Sequence, residues 1–325
     1  MAKIRVYTSF SFLLDTFDVS LRSKYPDDHL HLITFRDHPK MVFERIRREV
    51  AEEGHSADVL IAPHWMVMNL QLGGYLRSYE SPELAGYRPE YYDAKAGWCG
   101  MALSPVGMAY NTQRVKGADI PNGLWDLVGG KWKNRLAVHE IVDNKEGQMG
   151  LTYLTVLREI MGEVRWTDFV RSIFLSKPAT YDCMPEMALN ISLGNSDVGF
   201  PATSSCVAYY TEMQQRDVAH RMPKDVPYLM TFAPTIAILK HGEDPKWAER
   251  AFDYGISEDW EAKVESFGGK IPMRTGMANP ASIPPDVKLF PTLDHARKIP
   301  QTRDAVIRIR DSVAPGAQQV HVTTR

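Results

Sequence analysis

Several stretches of this sequence begin like catalytic or metal-binding motifs and then stop short. His139-Glu140 opens the zinc-peptidase pattern His-Glu-x-x-His, but position 143 is Asp, so the second imidazole required on the same helix face is missing. Cys99, Cys183 and Cys206 lie far apart with no Cys-x-x-Cys pair, which suggests neither a zinc site nor a disulfide framework and allows one bridge at most. The hydroxyls of Thr203, Ser204 and Ser205 crowd a strand end, yet no nearby His-Asp pair would turn a serine into a nucleophile. No catalytic constellation is complete, so the chain reads as a binder and not an enzyme.

The groups that could bind are hydrogen-bond donors placed where strands end. Ser9, Phe10 and Ser11 follow a first strand, and His64 and Trp65 follow another after Pro63. His139 closes a third strand, and the loop Asn144-Lys145-Glu146-Gly147-Gln148-Met149-Gly150 leads on into a helix. Hydroxyls, side-chain amide and imidazole groups, and glycine-freed backbone N–H groups suit an oxyanion or small carboxylate, to which Lys145 adds positive charge and Gln148 an amide. The bland alternatives are equally concrete: Ser9 and Ser11 as helix caps, Trp65 as packing, and the 144–150 loop as a flexible connection to a capped helix.

The elements that must hold these groups alternate between strand and helix. Residues 3 to 9 alternate polar and apolar, His29 to Phe35 reads as a strand, and Met41 to Glu53 places Phe43, Ile46 and Val50 on one helical face. The apolar run Ala57 to Ala62, ended by Pro63, fits a strand buried on both faces. Strand, helix, strand implies a parallel sheet. The alternation recurs as strand Arg135 to Ile141, helix Leu151 to Met161 and strand Asp197 to Phe200, which predicts a second α/β lobe. Gly100 to Asn111 and Thr231 to Lys240 flank that block as candidate crossover strands, and the tail Ala314 to Arg325 is polar.

Composition narrows the partners. The 38 basic and 40 acidic side chains nearly cancel and are interspersed, which argues against nucleic acid or an anionic membrane as partner. No apolar run approaches the roughly 18 residues that span a bilayer, so no membrane insertion is expected. The first residues run straight into a strand pattern, and the apolar patch Phe10 to Leu14 is too short for a secretory signal, which keeps a cytoplasmic location open.

Several of these pieces, in order, resemble the ferric-ion-binding group of type II periplasmic solute-binding proteins of ABC transporters. Ile4 to Ser11 is similar to that group's first strand and loop, and Ser56-Ala57-Asp58-Val59 to its second. The most specific stretch is Gly107-Met108-Ala109-Tyr110-Asn111-Thr112, then Pro121, Trp125-Asp126-Leu127 and Lys131-Trp132-Lys133-Asn134-Arg135-Leu136-Ala137. Ser196-Asp197-Val198-Gly199, Ala237-Ile238-Leu239-Lys240 and Ile271-Pro272-Met273-Arg274 follow in the family's order.

The resemblance implies an α/β, two-lobed periplasmic-binding-protein type II fold with two crossover strands and a central ligand cleft. Lobe one would comprise residues 1–105 with 232–276, lobe two 106–231, and 277–325 a C-terminal helix and tail packing across the lobes. It implies a periplasmic or extracellular monomer that closes around a small ligand and serves the membrane permease of an ABC importer, without a cofactor. Tyr209 and Tyr210 resemble the adjacent tyrosines that hold iron in the ferric-binding members, which makes Fe3+ an alternative cargo. Ser11 and Pro63, however, stand where that group has a histidine and a glutamate, which favours an oxyanion or small carboxylate. An intracellular enzyme or ligand sensor on the same fold is the competing class.

Overall fold

The computed structural model describes residues 2–142, 148–277 and 283–313. In chain order the strands are β1 (Lys3–Thr8), β2 (His31–Arg36), β3 (Val59–Ala62), β4 (Tyr92–Asp93), β5 (Trp98–Gly100), β6 (Leu103–Asn111), β7 (Leu136–His139), β8 (Ala179–Tyr181), β9 (Val198–Thr203), β10 (Val218–Arg221), β11 (Leu229–Phe232), β12 (Thr235–Ile238) and β13 (Lys288–Leu289). The helices are α1 (Ser11–Lys24), α2 (Pro39–Glu53), α3 (His64–Leu72), α4 (Met149–Met161), α5 (Glu163–Leu175), α6 (Met184–Ser192), α7 (Ser204–Ala208), α8 (Pro245–Gly255), α9 (Glu258–Val264) and α10 (Leu293–Val313). Among the described residues no helix is long and apolar enough to cross a membrane.

The chain divides into two compact units. The first comprises Met1–Leu103, Phe232–Ser266 and Lys270–Ser282, and the second Ser104–Thr231, Phe267–Gly269 and Ile283–Arg325. Two of the crossings between the units, at 103/104 and 231/232, fall inside the segments expected to be crossover strands.

The first unit is built on a sheet of order β2-β1-β3-β12-β5-β4, in which β1 runs parallel to β2 and β3 while β12 is antiparallel to β3 and β5. All four residues of β3 are buried, as its unbroken apolar run requires of a central strand. α2 turns Val42, Phe43 and Ile46 inward and ends at Gly54, whose φ of 77° is the left-handed turn that glycine adopts without a Cβ penalty. α8 buries Trp247, Ala251 and Phe252 and packs on β1, β3 and β12.

The second unit has the sheet β13-β11-β6-β9-β7-β8, with β10 paired antiparallel to β6. β7 is parallel to β8 and β9, whereas β6 runs antiparallel to β9. Asp197, 1% exposed at the start of β9, forms ion pairs with Arg114 and Arg135. Those two guanidiniums compensate an otherwise costly buried carboxylate.

The C-terminal helix α10 groups with the second unit, as do residues 267–269, which the sequence places in lobe one. α10 packs on α4 and α5, burying Ala296, Ile299, Ala305, Val306 and Ile309. Its polar side chains make local bonds there: Lys298 pairs with Glu159 at 3.2 Å, and Arg303 Nε donates to the Val142 carbonyl at 3.2 Å.

Candidate functional site

In the first unit the parallel register sets Thr8 beside Arg36 and Ile61, so β1, β2 and β3 end along one edge of the sheet. The carboxyl edge of an open α/β sheet is where ligands bind, because the following helices start there with unpaired N–H groups. Thr8 Oγ1 accepts the Phe10 N–H at 3.0 Å and so shapes the turn into α1. Phe10 is the N-cap residue of α1 and supplies no side-chain cap. Ser9 Oγ is buried and has no hydrogen-bond partner. The Ser11 side chain lies outside the described residues.

His64 and Trp65, the other candidates at this edge, serve the interior of the unit. His64 is 2% exposed, its Nδ1 lies 3.2 Å from Thr235 Oγ1, and its ring meets those of Trp98 and Phe232 edge-on at 4.8 and 4.7 Å. Trp65 is 3% exposed, and its carbonyl accepts from Asn69 Nδ2. The Ile271-Pro272-Met273-Arg274 motif is likewise structural: Ile271 exchanges both backbone hydrogen bonds with Leu103, and Arg274 pairs with Glu83 at 2.9 Å.

In the second unit β7 delivers His139, β8 leads to Cys183, and β9 ends at Thr203 beside the start of α7. The Gly150 N–H donates to His139 Nδ1 at 3.2 Å. A Cβ at residue 150 would lie 2.4 Å from both the His139 and Glu140 carbonyl oxygens, so only glycine lets α4 begin this close to the end of β7. Gln148, the N-cap residue of α4, makes no side-chain cap, and its Oε1 is buried without a partner in a residue only 5% exposed. Lys145 lies outside the described residues.

The three hydroxyls of the β9 end are all engaged. Thr203 Oγ1 caps α7 by accepting the Cys206 N–H at 3.3 Å and also accepts from Ser205 Oγ at 3.4 Å. Ser204 Oγ donates to the Gly269 carbonyl at 2.6 Å, and Ser104, fully buried on β6, lies 3.1 Å from both serine hydroxyls. Ser104 and the partly buried His220 are missing from the sequence-based set because neither stands at the end of a candidate strand. His220 Nε2 donates to the Ala202 carbonyl at 3.1 Å, and burial pushes its pKa down to about 4, so it is a neutral donor behind the β9 end at physiological pH.

Tyr209 and Tyr210 continue from α7, with ring centroids 5.1 Å apart and edge-on. Gln214 Nε2 donates to the Tyr209 hydroxyl at 3.1 Å, and burial raises the Tyr210 phenol to about 12. Among the described residues no cluster of three His, Cys, Asp or Glu side chains is placed to hold a metal ion.

A family model described as bacterial extracellular solute-binding protein matches residues 55–296, most of the chain, and this protein belongs to that family. No curated protein matches the sequence. The fold is similar to that of iron-bound HitA from Pseudomonas aeruginosa, with a TM-score of 0.77 at 18% identity over 95% of this chain and 99% of that one. It is similar also to the substrate binding protein of an ABC transporter from Agrobacterium tumefaciens, at 0.78 and 13% identity over 94% of each chain. The periplasmic binding protein AfuA from Actinobacillus pleuropneumoniae, with exogenous fructose-6-phosphate bound, matches at 0.74 and 19% identity over 96% of this chain and 97% of that one. The chain therefore has the expected two-lobed periplasmic-binding-protein fold.

Proposed function

We propose that this protein captures a small oxyanion or carboxylate outside the cytoplasm and delivers it to the membrane permease of an ABC-type importer, without catalysing a reaction. The observation that carries the ligand class is the start of α4. His139 Nδ1 takes the Gly150 N–H there but the Gln148 side chain makes no cap, so the α4 N-terminus offers partial positive charge to an anionic oxygen, while the buried Gln148 carbonyl oxygen lacks the donor that a ligand hydroxyl or protonated oxygen would bring. Ser9, buried and unpartnered after β1, offers the same chemistry in the first unit. An unmatched polar atom costs about 1–3 kcal/mol when buried, so a ligand that pairs with such a group recovers that loss on binding.

The solved relatives carry cargoes as different as iron and a sugar phosphate, so the fold admits several ligands and the choice falls to the residues present. Here those residues are hydroxyl, amide and backbone donors. Native mass spectrometry of gently purified protein, before and after mild denaturation, should release a small anion. Thermal shift against phosphate, sulfate and small carboxylates should then show one class raising the melting temperature by mass action. A released metal ion with no response to any anion would overturn the ligand class, and turnover of a bound anion would overturn the binding role.

A further inference from the structure

Cys183 and Cys206 stand 23 positions apart in the sequence, yet the fold anchors both around one residue of the second unit, Thr203. The Thr203 N–H donates to the sulfur of Met184, the residue after Cys183, at 3.2 Å, and Thr203 Oγ1 accepts the Cys206 N–H at 3.3 Å. α6, which Cys183 caps, packs on both β9 and α7, the helix that carries Cys206. Both residues are partly exposed and both are thiols in this structure, whereas Cys99 is fully buried in the other unit. We propose that Cys183 and Cys206 form a reversible redox pair, closing to a disulfide by exchange with a small-molecule or protein disulfide and thereby tying the start of α6 to α7.

Burial pushes the Cys183 thiol up to about 11, with a further push from Cys206, and the buried Tyr210 phenol feels both sulfurs. The exchange balances with glutathione disulfide as oxidant. One cysteine thiolate attacks a glutathione sulfur, forming a mixed disulfide and expelling one glutathione thiolate, which is protonated. The second cysteine, having lost its proton, then attacks the protein sulfur of that mixed disulfide and expels the other glutathione. The pair loses two electrons and two protons, and one glutathione disulfide becomes two thiols. Extracellular compartments, where this family's proteins are described as acting, favour the oxidised form.

The test is incubation of the full-length protein with glutathione disulfide, quenching with iodoacetamide and non-reducing peptide mapping. The expected product is a single cross-linked peptide pair holding Cys183 and Cys206, reversed by dithiothreitol, with Cys99 alkylated only after unfolding. In folded Cys183→Ser, checked by circular dichroism, Cys206 should instead retain glutathione as a stable mixed disulfide. The proposal is overturned if wild-type protein carries glutathione separately on the two residues, or if both remain open to alkylation under oxidising conditions. Should Cys183→Ser not fold, Cys206→Ser provides the reciprocal measurement, and the wild-type map alone still decides.

Discussion

The Tyr87 hydroxyl donates to Glu261 Oε1 at 2.7 Å in the interior of the first unit, where Glu261 is fully buried. The Met273 N–H supplies a second bond, to Oε2 at 3.1 Å, and Arg274 and Cys99 are the other titratable groups that act on the carboxyl. Burial outweighs these partners and pushes Glu261 up from its ordinary 4.5 to about 7.

That shift has a pH consequence. The folded state keeps the proton until about pH 7 while the unfolded chain releases it near 4.5, so the stabilisation is complete below 4.5 and is lost as pH rises through 7. The slope amounts to on the order of 3 kcal/mol across that window. Urea unfolding of wild type and Glu261→Gln at several pH values should show the difference between them shrinking toward acid pH. Parallel curves would mean that Glu261 is charged throughout.

Ser9→Ala and Gln148→Leu should separate binding from stability. Each removes a buried polar atom that has no partner in the protein, so stability should hold or rise by about 1 kcal/mol. Affinity for the anion identified by native mass spectrometry should fall roughly tenfold for the variant whose residue holds it, the loss of about one hydrogen bond. Calorimetric titration beside urea unfolding reads both, and unchanged affinity would remove these residues from the site.

Gly150→Ala tests the close approach of α4 to β7. The new methyl would meet two backbone oxygens, which cannot rotate away as a side chain can, so α4 must shift. A loss of about 2 kcal/mol is expected, together with weaker anion binding. Gly130→Ala, where nothing lies within 4 Å of the added carbon, is the near-neutral control.

Addition of ferric ion should give no tyrosinate charge-transfer colour. The Tyr210 phenol is held protonated by burial. Tyr209 has no acidic cluster among the described residues to complete a ferric shell. A visible band abolished by Tyr209→Phe or Tyr210→Phe would instead make iron the cargo.

The sequence by itself determined what depends on neighbours along the chain. The apolar run before Pro63 became β3, the stripe of Phe43 and Ile46 became α2, and the crossings between the units at 103/104 and 231/232 lie within the two long extended segments. Periodicity and continuous burial are local properties, and so are legible. Only the tertiary structure decided which candidate groups are spent. Ser9 and Ser204 look alike as hydroxyls at strand ends, but the Ser204 hydroxyl is taken by a carbonyl 65 positions away while Ser9 finds no partner. The fold sets the His64 ring against Trp98 and Phe232, neighbours that the sequence does not place beside it. Glu261, in an acidic stretch of α9, is buried by contacts that lie far from it in sequence, with Tyr87 as its hydrogen-bond donor. Partners distant in sequence satisfy or bury a polar group, and those partners exist only once the chain is folded.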